Sequence, residues 1–119
     1  MNQDVTQSSW LEFSLIEQLA RTGDEVDATI ELRNQGHCYK QAFERALGLL
    51  DLSIVDPRNK GPRFKELTTV RMLLVDYFVG NNEYCETDES LHTYFNDFKC
   101  YARKQRESLK TTAQFECRL

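Results

Sequence analysis

Asp56-Pro57-Arg58-Asn59-Lys60-Gly61-Pro62 holds both prolines of a 119-residue chain. Proline cannot donate a helical hydrogen bond and disfavours helical geometry in the residue before it, so this polar stretch stops one helix and starts another. It reads as a hinge between two helical hairpins. Pro62 suits the first turn of the helix that follows, where a missing N–H costs nothing.

Backward from the hinge, Tyr39, Phe43, Ala46, Leu47, Leu50 and Ile54 recur at steps of three and four, which predicts a helix from about Cys38 to Val55. Earlier still, Trp10, Phe13, Ile16, Leu19, Gly23, Val26 and Ile30 keep the same period. Ser9 followed by Glu12 fits a capping box that opens this helix near residue 8, and Gly36 supplies its stop. The stretch is read as one long helix to about residue 34, with Gly23 allowing a neighbour to approach closely. An interior glycine costs on the order of 1 kcal/mol relative to alanine, so a break at Gly23 is the alternative.

Forward from the hinge, Phe64, Leu67, Val70, Leu74 and Phe78 predict a third helix over 62–79, closed at Gly80. A polar loop follows from Asn81 to Glu86. Thr87 or Asp88 can then cap a fourth helix, whose buried face runs through Leu91, Phe95, Phe98 and Ala102 to about residue 107. Residues 108–119 have weak periodicity and are expected to form a loosely ordered tail. No run alternates long enough to predict a strand. The expected fold is all-α, a four- to five-helix antiparallel bundle without a sheet, in a single domain over 1–107.

Hydrophobic residues at 40% and charged residues at 29% argue against disorder and against a membrane class. Met1-Asn2-Gln3-Asp4 lacks the basic and apolar regions of a secretory signal, which leads to the expectation of a cytoplasmic protein. Cys38, Cys85, Cys100 and Cys117 form no C-x-x-C pair, and in a reducing compartment they are expected to be free, mostly buried thiols.

The net charge of −4 is divided unevenly. Residues 1–56 carry four basic and ten acidic side chains, and residues 57–119 carry eleven basic and nine acidic. Such an asymmetry can steer one half onto the other, within a monomer or across a dimer. Two stripes sharpen it: Glu17, Asp24, Asp27 and Glu31 on the first helix, and Lys99, Arg103, Arg106 and Lys110 on the fourth. They read either as a matched pair of docking surfaces, or for the basic stripe as a phosphate contact, or as solvated helix faces.

Arg58, Lys60, Arg63 and Lys65 place four positive charges at the hinge beside a helix N-terminus, a combination that favours anions. The 81–89 loop is dense in donors and acceptors but lacks the ligand order of a calcium loop. His37-Cys38 and the His92 to Cys100 interval do not match structural zinc spacing. No nucleophile or metalloprotease signature is present, so the reading includes no catalytic residue, cofactor or metal.

Two stretches resemble known families. Tyr39 to Leu50, followed by Asp56-Pro57, looks like the second helix of a tetratricopeptide repeat, with no second copy at that family's period. In size, helix count and the polar element Arg33-Asn34-Gln35-Gly36-His37, the chain resembles small prokaryotic HEPN-type bundles, helical partners or toxins associated with nucleotidyltransferases. Three residues separate arginine and histidine here, where the family's ribonuclease motif has four to six. The resemblance implies a nucleotide- or RNA-binding protein, with Arg33 and His37 at a dimer cleft and Arg58, Lys60, Arg63 and Lys65 holding phosphate.

The primary reading is a non-enzymatic protein-interaction module acting through a helix face or the 81–89 loop, as a homodimer or with another protein. Arg71, Tyr77, Asn81, Asn82, Glu83 and Tyr84 are its candidate contact residues, because aromatic and arginine side chains favour interface centres.

Overall fold

Five helices follow in the order α1 Gln7–Trp10, α2 Leu15–Asn34, α3 Lys40–Ile54, α4 Pro62–Phe78 and α5 Asp88–Cys117, with no strand among the described residues. The computed structural model describes residues 7–117, with side chains from 8 to 108. Cross-helix pairs fix the directions. Glu25 of α2 bonds Arg45 of α3, while Gln18 bonds Ser53, so these helices run antiparallel. Asp51 meets Arg71 and Tyr39 meets Phe78 between α3 and α4. Glu66 meets Tyr94 and Tyr77 meets Asp88 between α4 and α5. Arg33 meets Asp88 and Glu17 meets Arg106, closing α5 back onto α2. The result is the expected antiparallel all-α bundle.

The long helix starts later than the capping box at Ser9 suggests. Residues around Ser9 form only the single turn α1, and the chain bends before Ser14, whose side chain accepts from Glu17 N–H and caps α2. Ser14 and Glu17 repeat the same Ser-x-x-Glu spacing five residues on. The early turn lets Trp10 fold under the bundle, where it is buried and its indole N–H donates to Ser53 Oγ at 2.9 Å.

From Leu15 to Asn34, α2 is continuous across Gly23. A Cβ at this position would lie 2.6 Å from Phe95 Cβ, so the missing side chain is what lets α5 approach. At the other end Gly36 takes φ +77° while its N–H donates to Arg33 O and His37 N–H donates to Leu32 O. This is a Schellman stop, and it lies where the sequence places it. Leu19 and Val26 of α2 pack with Phe43, Leu50, Leu67, Leu74, Leu91 and Phe95 in one core. Each such side chain contributes about 1.5–3 kcal/mol on burial.

The hinge is not a solvated link. Asp56 is 1% exposed and Asn59 is also buried. Gln18 donates to Asp56 and to the Trp10 and Phe13 carbonyls, Ser53 donates to Gln18, and Asn59 donates to Ser53 O. Arg58 covers this network from outside, donating to Asp56 and to Phe13 O. A buried polar cluster is tolerated when every member is satisfied, and here no buried side-chain N or O among the described residues lacks a partner.

Ala102 is the last buried residue of α5 among those whose side chains are described. The backbone stays helical through Cys117, and most of the expected 108–119 tail lies outside the described side chains. The cysteines correct one expectation: Cys38 and Cys85 are free and exposed, and Cys100 is half-buried, because the first two fall in interhelical turns.

Candidate interaction surface

α4 is apolar on two faces. Leu67, Val70 and Leu74 point inward and are buried. On the outward flank Phe64, Met72 and Val79 stand 47%, 45% and 69% exposed. With Thr68 and Val75 between them, these positions follow steps of four, four, three and four, which place them on one line along the helix. The regular spacing of Phe64 with Leu67, Val70 and Leu74 assigned it to the buried face. Phe64 instead begins the outer stripe, because the helix's inward direction is set by Leu67, Val70 and Leu74. Met72 and Val79 were the signal of a second apolar line, with the half-buried Val75 between them packing against the core at its edge.

The loop after α4 folds back over the far end of this stripe. Asp76 accepts from Glu83 N–H at 3.1 Å and Tyr84 N–H at 3.2 Å. These bonds bring the exposed Tyr84 to α4, its hydroxyl 3.8 Å from Met72 Sδ. Asn82, at φ +53°, accepts from Glu86 N–H and donates to Glu86 O. Thr87 and Ser90 then cap α5 reciprocally. Asparagine tolerates the left-handed region better than most residues, which explains its use at this bend. Glu83 and Asn81 are exposed on the loop.

The candidate contact residues therefore divide. Glu83 and Tyr84 adjoin the outer face. Arg71 lies on the α3 side of α4, its Nε 2.7 Å from Asp51 Oδ1. Tyr77 is turned into a cluster at the end of the bundle: its hydroxyl donates to Asp88 Oδ1 at 2.5 Å, and Arg33 contacts both Asp88 oxygens at 2.5 and 2.6 Å. Asn34 donates to Asp88 as well, and the Arg33 guanidinium lies over the Tyr77 and Phe78 rings. Burial opposes ionisation of Asp88, but hydrogen bonds from Tyr77, Arg33 and Asn34 outweigh it and hold its carboxyl below the usual range. Burial and the Asp88 bond push the Tyr77 phenol up.

The residues linked to nucleotide or RNA contacts lie apart along the bundle. Arg33 is engaged by Asp88, and His37 is exposed in the turn after α2. Arg58 is engaged by Asp56. Lys60, Arg63 and Lys65 are exposed around the start of α4, which opens with Gly61 at φ +66° and Pro62.

The acidic and basic stripes face one another within the chain. Lys99 pairs with Asp27, and with Asp24 at 3.2 Å; Arg106 pairs with Glu17 at 2.7 Å; His92 Nδ1 lies 3.0 Å from Asp27. Burial would lower the Lys99 pKa, but Asp27 and Asp24 raise it further. These stripes align α2 and α5. The apolar line of α4, by contrast, faces outward at Phe64, Met72 and Val79.

No group of three histidine, cysteine or acidic residues is placed to hold a metal among the described residues, and no helix there is long and apolar enough to cross a membrane. No protein-family model matches the chain, and no curated protein or solved structure matches it.

Proposed function

We propose that this protein is a non-enzymatic interaction module whose contact surface is the outer face of α4, extended at one end by the 81–89 loop. One observation carries the reading: Phe64, Met72 and Val79 lie exposed in line on a helix whose other face is already buried in the core. Scattered surface apolar residues such as Leu11 and Val55 are ordinary, whereas an ordered apolar line marks a contact surface. Tyr84 adds amphipathic contact area beside Met72.

The test compares the wild-type chain with a Met72→Glu, Val79→Glu variant, using light scattering of the pure proteins and recovery from the native cell extract. The reading expects either self-association or a recovered partner, lost in the variant while its helical circular dichroism is unchanged. A strict monomer at high concentration that also recovers nothing contradicts it.

A further inference from the structure

The charges around α4 are ordered along its axis. From Pro57 to Lys65 there are four basic residues and no acid. From Met72 to Glu86 there are three acidic residues, Asp76, Glu83 and Glu86, and no lysine or arginine, while Glu66, directly after Lys65, is the one acid of α4 near its basic end. Two of those basic residues, Arg63 and Lys65, lie in the first turn of α4, while Asp76 lies in its last turn and Glu83 beside it on the folded-back loop. Lys60, Arg63 and Lys65 are exposed and form no ion pair with a described residue.

This order is the reverse of what an isolated helix favours. The amide ends make a helix N-terminus positive and its C-terminus negative, so acids belong in the first turn and bases in the last. α4 has no acid in its first turn and no base in its last. Side-chain charge and backbone dipole therefore add rather than cancel, leaving α4 positive at the Pro62 end and negative at the Phe78 end. An apolar line runs between the two poles.

Resting on the interaction reading above, we propose that the occupant of this face is a second copy of the same chain, its own α4 packed antiparallel about a two-fold axis beside Thr68 and Met72. A two-fold contact is self-complementary by construction, so each pole of one copy meets the opposite pole of the other. Lys65 of one copy lies opposite Asp76 of the second, and Lys60 lies toward Glu83, whereas Arg63, in register with Leu67 and Val70, adds to the charge of the pole from the far side of the helix. The two Met72 side chains meet near the axis, between Phe64 at one end and Val79 and Tyr84 at the other. Parallel packing sets like poles together, and an uncharged apolar partner leaves both poles uncompensated.

The experiment is sedimentation of the full chain over a range of concentrations, in about 50 mM and about 500 mM salt. Because screening at the higher salt shortens the reach of surface charges to a few ångströms, the wild-type dimer is expected to weaken by roughly an order of magnitude. Met72→Glu abolishes it. A Lys60→Glu, Lys65→Glu variant and a Glu83→Lys, Glu86→Lys variant each remain monomeric alone, since like poles then meet. Mixed in equal amounts they form a dimer.

All substituted side chains are at or near the surface, and circular dichroism checks that each variant is folded. A wild-type monomer at every concentration overturns the proposal, and recovery of a different protein lost in Met72→Glu would then leave the interaction reading intact. A dimer that tightens with salt, that survives Met72→Glu, or whose two charge variants fail to pair also overturns it.

Discussion

Gly23 of α2 and Phe95 of α5 approach so closely that a Cβ on the glycine would stand 2.6 Å from the phenylalanine Cβ. Phe95 is fully buried, and its Cβ is tied to the α5 backbone, so it cannot swing aside as the end of a flexible chain could. Gly23→Ala is therefore expected to destabilise the fold by about 1–3 kcal/mol despite alanine's better helix propensity. Gly48 sits in α3 with open space around its missing Cβ. Gly48→Ala should stabilise by about 0.5–1 kcal/mol. Denaturant melts of the two variants give opposite signs, and equal signs would refute the close approach.

Asp56 sets an acid limit on the fold. Its carboxyl is lowered from 3.8 to about 2, chiefly by the Arg58 side chain, with further help from the Arg58 backbone N–H and from Gln18 against the cost of burial. A carboxyl depressed in the folded state favours folding when ionised. This contribution, about 2 kcal/mol, is whole above about pH 4 and is lost as the pH falls toward 2. Asp56→Asn should destabilise at neutral pH and flatten that acid limb. Parallel acid limbs for wild type and variant would show that the depression is absent.

Asp88 holds Arg33, Asn34 and Tyr77 together. Asp88→Ala strands partly buried donors and should cost roughly 1–3 kcal/mol, while Tyr77→Phe removes one bond and should cost less. Ultraviolet titration adds a second readout. The Tyr77 phenol, raised by burial and by Asp88, should ionise at lower pH in Asp88→Ala. An unmoved tyrosine titration together with unchanged stability would place Asp88 outside the cluster.

Lys99, Arg106, Asp27 and Glu17 align α5 on α2 at the bundle surface. Arg106→Ala should lower stability by no more than about 1 kcal/mol, and by still less at high salt, because exposed ion pairs are weak and screened. A large, salt-insensitive loss would mean that Arg106 packs rather than pairs.

The fold was legible because helix period and breakers act locally. Pro62, Gly36 and the three-four spacing of Phe43, Ala46 and Leu50 fix their helices with little help from the rest of the chain. Even the close approach at Gly23 could be read, since no proline or polar run interrupts α2. The helix start at Ser14 was missed because Ser9-Glu12 and Ser14-Glu17 have the same spacing, and only the burial of Trp10 decides between them. Partners distant in sequence were hidden. Nothing near Asp56 announces Gln18 and Ser53, and nothing near Asp88 announces Arg33 and Tyr77, so polar residues that close the two ends of the bundle read as solvated loops. The stripes on α2 and α5 were visible as charge patterns, but their mutual pairing depends on how the chain reverses. The outer face of α4 was obscured because Phe64 fits both apolar lines.

Side-chain footprinting of the native protein, dilute and concentrated, tests the use of the α4 face most directly. Labelling of Phe64, Met72 and Val79 should fall with concentration while Leu11 and Val55, exposed elsewhere, stay labelled. If the α4 positions remain as reactive as Leu11 and Val55 at every concentration, and also in the presence of the native cell extract, the face makes no contact and the account fails.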